Sequence, residues 1–344
     1  GLNGEDESKI VGYLKSSARQ EKEDSGKSFI IGGYLYTEYF KFQDSTNTFD
    51  AHYLSISMSG KVHEKVTFYA EFELEHGGGS LNPPFVEEAY LDFWLNRNTG
   101  VRIGAILTPF NKFDYFHGPL QNRLISRPEM SREIGVSAWK DVGVNLHGNL
   151  IVTKNFYLNY DLYLINGLGS GSRFRKSRQY KDNNNLLSKG IRVSGIISDR
   201  LEAGVSYYSG PWDDEGLLDL NMCGFHLLGK IGNLQFYGEY SKADSENTNV
   251  YPDGEAEGYF IQGSYLMNKY LRTTIRYGTL DYLDTAEDIG RSFTDIDKRV
   301  LALGLSLNLN SSVVFKIEYD FVMEGERSAT KENNILAFQA AVSF

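Results

Sequence analysis

The sequence predicts an all-β fold, a transmembrane antiparallel up-and-down β-barrel of about 16 strands. About sixteen segments of roughly ten residues alternate apolar and polar side chains, which is the length and pattern of a tilted strand that crosses a bilayer. The connections between these segments are long and short in turn, as they are at the two rims of such a barrel.

Short groups of turn-forming residues, such as Gly232-Asn233 and Asn310-Ser311, separate the predicted strands at one rim. The first eight are Phe29–Phe42, Phe49–Val62, Val66–His76, Phe85–Leu95, Val101–Phe110, Asp141–Leu150, Phe156–Ile165 and Lys189–Ile197. The other eight are Leu201–Ser209, Leu220–Ile231, Leu234–Ala243, Gly258–Met267, Tyr270–Asp281, Arg299–Leu309, Ser312–Met323 and Asn334–Phe344. An even number of strands places both termini at the rim with short turns, which is periplasmic.

The two ends of the chain differ in character. Residues 1–27 are polar and charged, and we expect them to form a periplasmic segment or a partial plug of the barrel at 28–344. Gly1 is interpreted as the start of an exported, mature chain. The last strand places its apolar residues on one face, and Val342 and Phe344 are predicted to act there as the assembly signal.

Composition excludes several classes of protein. The chain has 344 residues, 41% of them hydrophobic, with a mean hydropathy of −0.37 and no apolar stretch long enough for a transmembrane helix. The 23 Tyr and 21 Phe suit the aromatic girdles of an outer-membrane barrel. A net charge of −10 argues against nucleic-acid binding, and the single cysteine allows neither an internal disulfide nor a haem motif. No cofactor is expected.

Charged side chains on alternating positions cannot face lipid, so they identify the lumen wall. The predicted strand Val66–His76 carries Glu71 and Glu73 on one face and apolar side chains on the other. The predicted wall residues are Glu71, Glu73, Glu88, Asp92, Arg102, Arg192, Arg272, Arg276 and Lys316. This mixture of signs predicts a water-filled pore for small hydrophilic solutes and ions.

The longest connection, Asn111–Lys140, is the third external loop, and we expect it to fold into the lumen and form the constriction. It carries Arg123, Arg127, Arg132, Glu129 and Glu133. The arginines facing the wall carboxylates would create a transverse field. The alternative is that they pair with the loop's own acids and hold its fold.

Other functions are weighed against the pore. The six histidines have no HxH or HExxH spacing, so no metal site is predicted. No GxSxG motif and no matched Ser/His pair indicate an enzyme. The alternative function is a barrel that acts mainly as a structural or protein-binding partner in an outer-membrane complex.

The chain resembles the phosphate-selective porins (porins O and P) and their broader relatives from about Gly32 to Gly148. The segments that carry the resemblance are Asp50–Lys61, Thr67–Glu73, Val86–Leu91, Val101–Phe110, Leu124–Pro128 and Asp141–Val144. The resemblance implies a 16-stranded homotrimer in the bacterial outer membrane with an inward third loop. Members of this family that pass phosphate line the pore with a ladder of arginines and a group of lysines.

The wall residues of this chain include few lysines and many carboxylates. They therefore predict a weakly selective pore without a dedicated phosphate site. The expected partners are outer-membrane lipid and lipopolysaccharide, small solutes, further copies of the chain, and a possible periplasmic or surface protein.

Overall fold

A computed structural model of the chain forms a closed antiparallel barrel of 16 strands. It describes residues 29–43, 45–78, 83–171, 174–198, 200–247, 253–283, 297–325 and 333–344. The first eight strands are β1 Phe29–Phe42, β2 Thr48–His63, β3 Val66–Glu75, β4 Phe85–Asn96, β5 Thr99–Leu107, β6 Lys140–Thr153, β7 Phe156–Ile165 and β8 Ser188–Ile197. The others are β9 Leu201–Pro211, β10 Asp219–Ile231, β11 Leu234–Ser245, β12 Gly254–Leu266, β13 Leu271–Leu283, β14 Asp297–Asn308, β15 Val313–Glu324 and β16 Ile335–Ser343.

Every strand pairs with the strands before and after it in sequence, and β1 pairs with β16 to close the barrel. A closed ladder leaves no strand edge unpaired, which is the condition for a sheet to cross a bilayer. The predicted fold class and strand number are confirmed. The predicted N-terminal segment, residues 1–27, lies outside the described residues.

The strand β5 ends earlier than its apolar pattern predicts. The expected end was Phe110, whereas the strand stops at Leu107. Pro109 has no N–H to donate to a neighbouring strand. The backbone N–H of Thr108 donates to the carbonyl of Trp139 (2.7 Å), so these two residues close the base of the connection that follows.

The two faces of the sheet differ as the alternation requires. Large apolar side chains are exposed on one face, with Phe72 42% and Ile261 61% accessible. On the other face charged side chains are buried, and Glu73 between Phe72 and Leu74 is 1% accessible. In a closed barrel the apolar face is the outer one, toward lipid, and the buried polar face is the interior.

The connection between β5 and β6, residues 108–139, is named here the long connection. It contains a 3₁₀ turn at Phe113–Phe116 and the short helix α1 at Glu129–Glu133. A second 3₁₀ turn, Phe174–Lys176, lies between β7 and β8. Within the described ranges, no helix is long and apolar enough to cross a membrane.

The chain end takes part in barrel closure. The N–H of Phe344 donates to the carbonyl of Gly33 (3.0 Å), and the N–H of Gly33 donates to the carbonyl of Phe344 (3.1 Å). The Phe344 side chain is 63% exposed, and Val342 pairs with Leu35.

We predict that Phe344→Ser lowers the fraction of correctly assembled barrel several-fold, because it removes the exposed terminal aromatic while leaving the backbone pairing possible. The measurement is heat-modifiable migration and surface level of the protein in cells. Phe49→Ser is the matched control, since Phe49 is also an exposed aromatic but lies at the opposite rim. Equal assembly of both variants would contradict the prediction.

Candidate functional site: the long connection and the wall around it

The first part of the long connection is bound to the wall by buried charges. The Lys112 ammonium lies 2.9 Å from a carboxylate oxygen of Glu202 on β9, and His226 lies 3.2 Å from the same oxygen. The N–H of Phe113 donates to Glu239 on β11 (2.8 Å). Burial lowers the pKa of Lys112, although Glu202 opposes this effect. A buried ammonium of this kind stays in place only with its carboxylate partner.

The middle part is held by Glu318 on β15. Its carboxylate accepts hydrogen bonds from the backbone N–H groups of Ile125 and Ser126 and from the Ser126 hydroxyl. Arg276 on β13 donates to the carbonyl of Ser126 (3.0 Å) and to its hydroxyl (2.5 Å). Two consecutive backbone N–H groups therefore bind one buried carboxylate, as the N–H groups of a helix N-terminus or of an anion-binding turn bind an anion.

The packing of Leu124 depends on a glycine of the wall. Leu124 is 1% exposed, and its carbonyl accepts a hydrogen bond from Lys316 (3.1 Å). A Cβ atom at Gly304 on β14 would lie 2.4 Å from Cδ2 of Leu124. The absence of a side chain at Gly304 gives Leu124 its place against the wall.

The last part of the long connection contributes an aromatic core. Trp139 is fully buried, and its ring meets Tyr208 of β9 edge to face with centroids 4.9 Å apart. Phe110 packs on the same indole at 6.2 Å. Met130 of α1 is 1% exposed and lies against Gly258 of β12. These contacts bury large apolar side chains on the inner side of β9 to β12, where they add to the polar anchors.

The pKa values of two titratable groups indicate that water is excluded from this region. Burial raises the pKa of Asp114 to about 6, although the N–H of Trp139 donates to its carboxylate (3.4 Å). Burial lowers the pKa of His117 to about 4, and the nearby Arg127 lowers it further. Both shifts favour the uncharged form, as is expected where water is excluded.

The three loop arginines predicted from the sequence lie in different surroundings. Arg127 donates to the carbonyl of Ser137 (3.1 Å) and lies close to Tyr53, Tyr36 and Glu73 on the wall. Burial lowers its pKa, but the attraction of these wall groups outweighs burial and raises the value above its usual range. Arg127 is thus the loop cation beside the acidic part of the wall.

Arg123 and Arg132 have other neighbours. Burial, followed by repulsion from Arg272, lowers the pKa of Arg123 to about 9. Arg132 instead lies 3.4 Å from Glu129, a residue of its own helix. Pairing with the loop's own acids, the alternative considered from the sequence, is therefore the arrangement of Arg132.

The two acids of α1 each contact a basic residue outside the helix. Lys298 on β14 lies 3.0 Å from Glu129, and Arg175 lies 3.3 Å from Glu133. Burial raises the pKa of Glu129, but Arg132 and Lys298 outweigh it and the pKa is lowered overall. These pairs join α1 to β14 and to the β7–β8 connection.

The acidic wall residues predicted from β3 are buried and hydrogen-bonded. Glu73 accepts a hydrogen bond from the Tyr34 hydroxyl (2.9 Å), and Lys140 lies 3.5 Å from it. Glu71 accepts from the hydroxyls of Ser55 and Tyr69. The predicted carboxylates of β3 thus form one buried group with neighbouring hydroxyls and the first residue of β6.

The predicted residues of β4 and β5 pair with each other. Asp92 accepts from Arg102 (3.0 Å) and lies 2.8 Å from Nε2 of His147 on β6. Glu88 accepts from the N–H of Leu107 (3.0 Å). Opposite charges at one depth largely cancel each other's field.

The other predicted basic residues lie on β8, β13 and β15. Arg192 lies 2.8 Å from Asp161 and stacks over the Tyr115 ring of the long connection at 4.4 Å. Arg272 donates to Gln235 (3.1 Å) and lies beside Arg123.

Sequence reasoning missed Glu87, which is 3% exposed and forms an ion pair with Lys140. Strict alternation places Glu87 opposite to Glu88, but the register shifts between the pairs Glu71–Glu88 and Phe72–Val86. This β-bulge lets two successive carboxylates bury together. Two adjacent acids in an otherwise alternating strand were the only sequence signal.

We predict that Glu318→Gln loosens the middle of the long connection, because an amide nitrogen cannot accept the hydrogen bonds that the carboxylate accepts. Loss of a buried bond to a charged group weakens local stability by roughly 2 kcal/mol. Trypsin should then cleave the folded, detergent-solubilised protein after Arg123 about thirtyfold faster than the wild type. The control is Glu64→Gln in the exposed β2–β3 turn. Unchanged cleavage rates would show that Glu318 does not hold the loop.

Comparisons with known structures agree with this fold. An anion-selective porin from Comamonas acidovorans has a TM-score of 0.69 at 12% identity, with 93% of this chain and 100% of that chain covered. OmpT of Vibrio cholerae has a TM-score of 0.64 at 12% identity, with 94% and 100% covered. The outer-membrane channel DcaP of Acinetobacter baumannii has a TM-score of 0.64 at 12% identity, with 94% and 99% covered.

Sequence comparison identifies the family. An uncharacterized protein of Aquifex aeolicus (strain VF5) is 22% identical over 359 aligned residues, covering 92% of this chain and 80% of that protein. The family of Gram-negative porins matches residues 16–326. Since this match spans most of the chain, the protein belongs to the Gram-negative porins, outer-membrane β-barrels that form channels for passive diffusion.

Proposed function

We propose that the long connection folds into the barrel, narrows the water-filled path and sets its ion preference. The observation that carries this proposal is that two parts of the long connection contact strands far apart in the barrel. Lys112 binds Glu202 of β9, and Ser126 binds Glu318 of β15, although the connection itself starts from β5. A segment bound to the inner faces of such distant strands crosses the barrel, and solutes pass beside it.

The charges beside the proposed path are divided by sign. The acidic part of the wall, with Glu71 and Glu73, lies on the side that Arg127 faces. Arg123 and Arg272 form a group of two cations on the other side. No hydrogen bond or ion pair of the Arg123 side chain with another described residue is found. In a narrow channel with low-dielectric walls such an arrangement creates a transverse field.

Most other wall charges cancel in pairs, such as Asp92 with Arg102 and Asp161 with Arg192. Beyond a Debye length of roughly 8 Å these pairs contribute little. The cation group around Arg123 therefore determines the net preference, and we propose a modest preference for anions. The Comamonas acidovorans porin is described as anion-selective, which supports this direction.

The resemblance to phosphate-selective porins raises a narrower function. Tight phosphate binding needs several basic groups that converge at one depth with their donors free. Here Lys316 donates to Leu124 and Arg276 to Ser126, so both are engaged by the loop backbone. The proposal is accordingly a general pore for small hydrophilic solutes, without a dedicated phosphate site.

The proposed assembly is a homotrimer in contact with lipid and lipopolysaccharide. The exposed apolar band on the outer face supports lipid contact. A trimer form is described for the in-vitro folded OmpT of Vibrio cholerae.

A second candidate function is a barrel that mainly binds another outer-membrane or periplasmic protein. The observation in its favour is the amount of aromatic packing around Trp139 and Tyr208, which fills the interior near β9. Single-channel recordings separate the two functions, because a protein-binding barrel would show very low conductance.

We predict that Arg123→Ala and Arg127→Ala together shift the reversal potential in a salt gradient toward cations by several millivolts or more. Removing two positive charges beside the path leaves the wall carboxylates dominant. Arg97→Ala, in the exposed β4–β5 turn, is the control and should leave the potential unchanged. An unchanged potential in the double variant would place both arginines outside the ion path.

A separate prediction concerns phosphate. Chloride conductance should fall only at many millimolar phosphate, because the basic groups are spread and partly engaged. The measurement is conductance of the purified protein in planar bilayers during phosphate titration. Half-block at micromolar phosphate would contradict the proposal and support the narrower phosphate-selective function.

A further inference from the structure

Two histidines and two carboxylates meet at the rim of the barrel where the long connection lies. Asp50 and His52 are on β2, and His76 follows the last residue of β3. The ligand atoms that these three side chains offer all lie within 4.8 Å of one another. Nδ1 of His76 is 2.8 Å and Nδ1 of His52 is 3.4 Å from the same oxygen of Asp50. Glu38 of β1 contacts Nδ1 of His52 from the other side.

A β-bulge brings these side chains together. Between the cross-strand pairs Tyr36–Tyr53 and Glu38–Asp50, β2 has two residues where β1 has one. Strict alternation would place the ring of His52 and that of Tyr53 on opposite faces, yet the two rings stack 4.7 Å apart with 10° between their planes. Bulges often re-aim a side chain toward a functional site.

The backbone then fixes the second histidine. The N–H of His76 donates to the carbonyl of His52 (2.9 Å), and the N–H of Gly77 donates to the carbonyl of Ala51 (3.0 Å). His76 has a φ of 51°, an uncommon conformation for a residue with a side chain. The two imidazole rings are held 4.9 Å apart as a result.

Glu38 is oriented from behind by another strand. Its carboxylate is 3% exposed, and Gln339 of β16 donates to Oε1 (2.7 Å), while Oε2 faces His52. Groups beside a metal site are commonly held by hydrogen bonds of this kind. Exposure rises across the group, with the His52 side chain 27% and the His76 side chain 45% accessible, so an ion can enter from the solvent side.

We propose that Asp50, His52 and His76 bind a divalent transition-metal ion, with Zn²⁺ as the representative, and that Glu38 lies beside this site against His52. Ligand atoms about 2.0 Å from a tetrahedral zinc ion are about 3.3 Å from one another. The distances of 2.8 and 3.4 Å within the group are close to this value. Two imidazole nitrogens favour Zn²⁺, Ni²⁺ or Cu²⁺ over Ca²⁺ and Mg²⁺, which prefer oxygen ligands alone.

Sequence spacing gave no indication of this site. The histidines are not part of a short motif, and their approach depends on the bulge in β2 and on the pairing of β2 with β3. The alternative is that the same four side chains form only a hydrogen-bonded group that stabilises the rim.

Calorimetric titration of the untagged, chelator-treated protein in detergent with ZnCl₂ tests the proposal. We expect one saturable equivalent per chain. His52→Ala and His76→Gln should each weaken zinc binding by at least about tenfold. His63→Ala is the matched control, because His63 lies on the same strand at the opposite, exposed end. A second titration with CaCl₂ should give no comparable binding.

Two further measurements keep the test independent of folding defects. Heat-modifiable migration verifies that each variant remains a barrel, and His76→Gln alters only an exposed side chain. Co²⁺ added to the wild type should give the intense visible absorption of tetrahedral coordination, reduced in His76→Gln. Zinc binding that is absent in the wild type, unchanged in both variants, or matched by calcium would overturn the proposal in favour of a hydrogen-bonded group only.

Discussion

Closure of the backbone hydrogen-bond ladder is the constraint on which the rest of this molecule depends. In the bilayer no N–H or carbonyl group finds water, so β1 must pair with β16 and every intervening strand with its neighbours. Once the ladder is closed, strict alternation assigns each side chain to lipid or to the interior. The charged side chains, which cannot face lipid, are collected inside a tube whose walls have a low dielectric constant. Their mutual arrangement then becomes the main determinant of function.

Collected charges need partners, and the long connection supplies many of them. Glu202 binds Lys112, and Glu239 and Glu318 accept backbone N–H groups of the connection. Because each buried charge left without a partner would cost several kcal/mol, the wall and the connection stabilise each other. Contacts with the long connection therefore account for the buried carboxylates on β9, β11 and β15.

The strands and their inner faces could be predicted from the sequence, whereas the contacts between distant segments could not. The period of two in Val66–Glu75 identifies Glu71 and Glu73 as inward residues without any knowledge of neighbours. By contrast, the contact of Ser126 with Glu318 joins residues 192 positions apart, and no local pattern encodes it. β-Bulges also limit prediction from the sequence. One extra residue in a strand reverses the face on which the side chains before it lie, as at Glu87. The pairing of Arg132 with Glu129 follows helical spacing and was open to prediction, but the surroundings of Arg123 and Arg127 were not.

The different surroundings of the loop arginines have a consequence for how such a pore tunes selectivity. An arginine paired within its own helix, such as Arg132, contributes little field at a distance, since the opposite charge lies 3.4 Å away. An arginine beside another cation, such as Arg123 beside Arg272, has no adjacent opposite charge in the described part of the chain that reduces its field. Repulsion inside that cluster lowers the free energy gained by folding it, and an anion that enters the path relieves the repulsion. Under the proposed anion preference, the contact that weakens the loop also attracts the solute, so stability and ion preference oppose each other at this position.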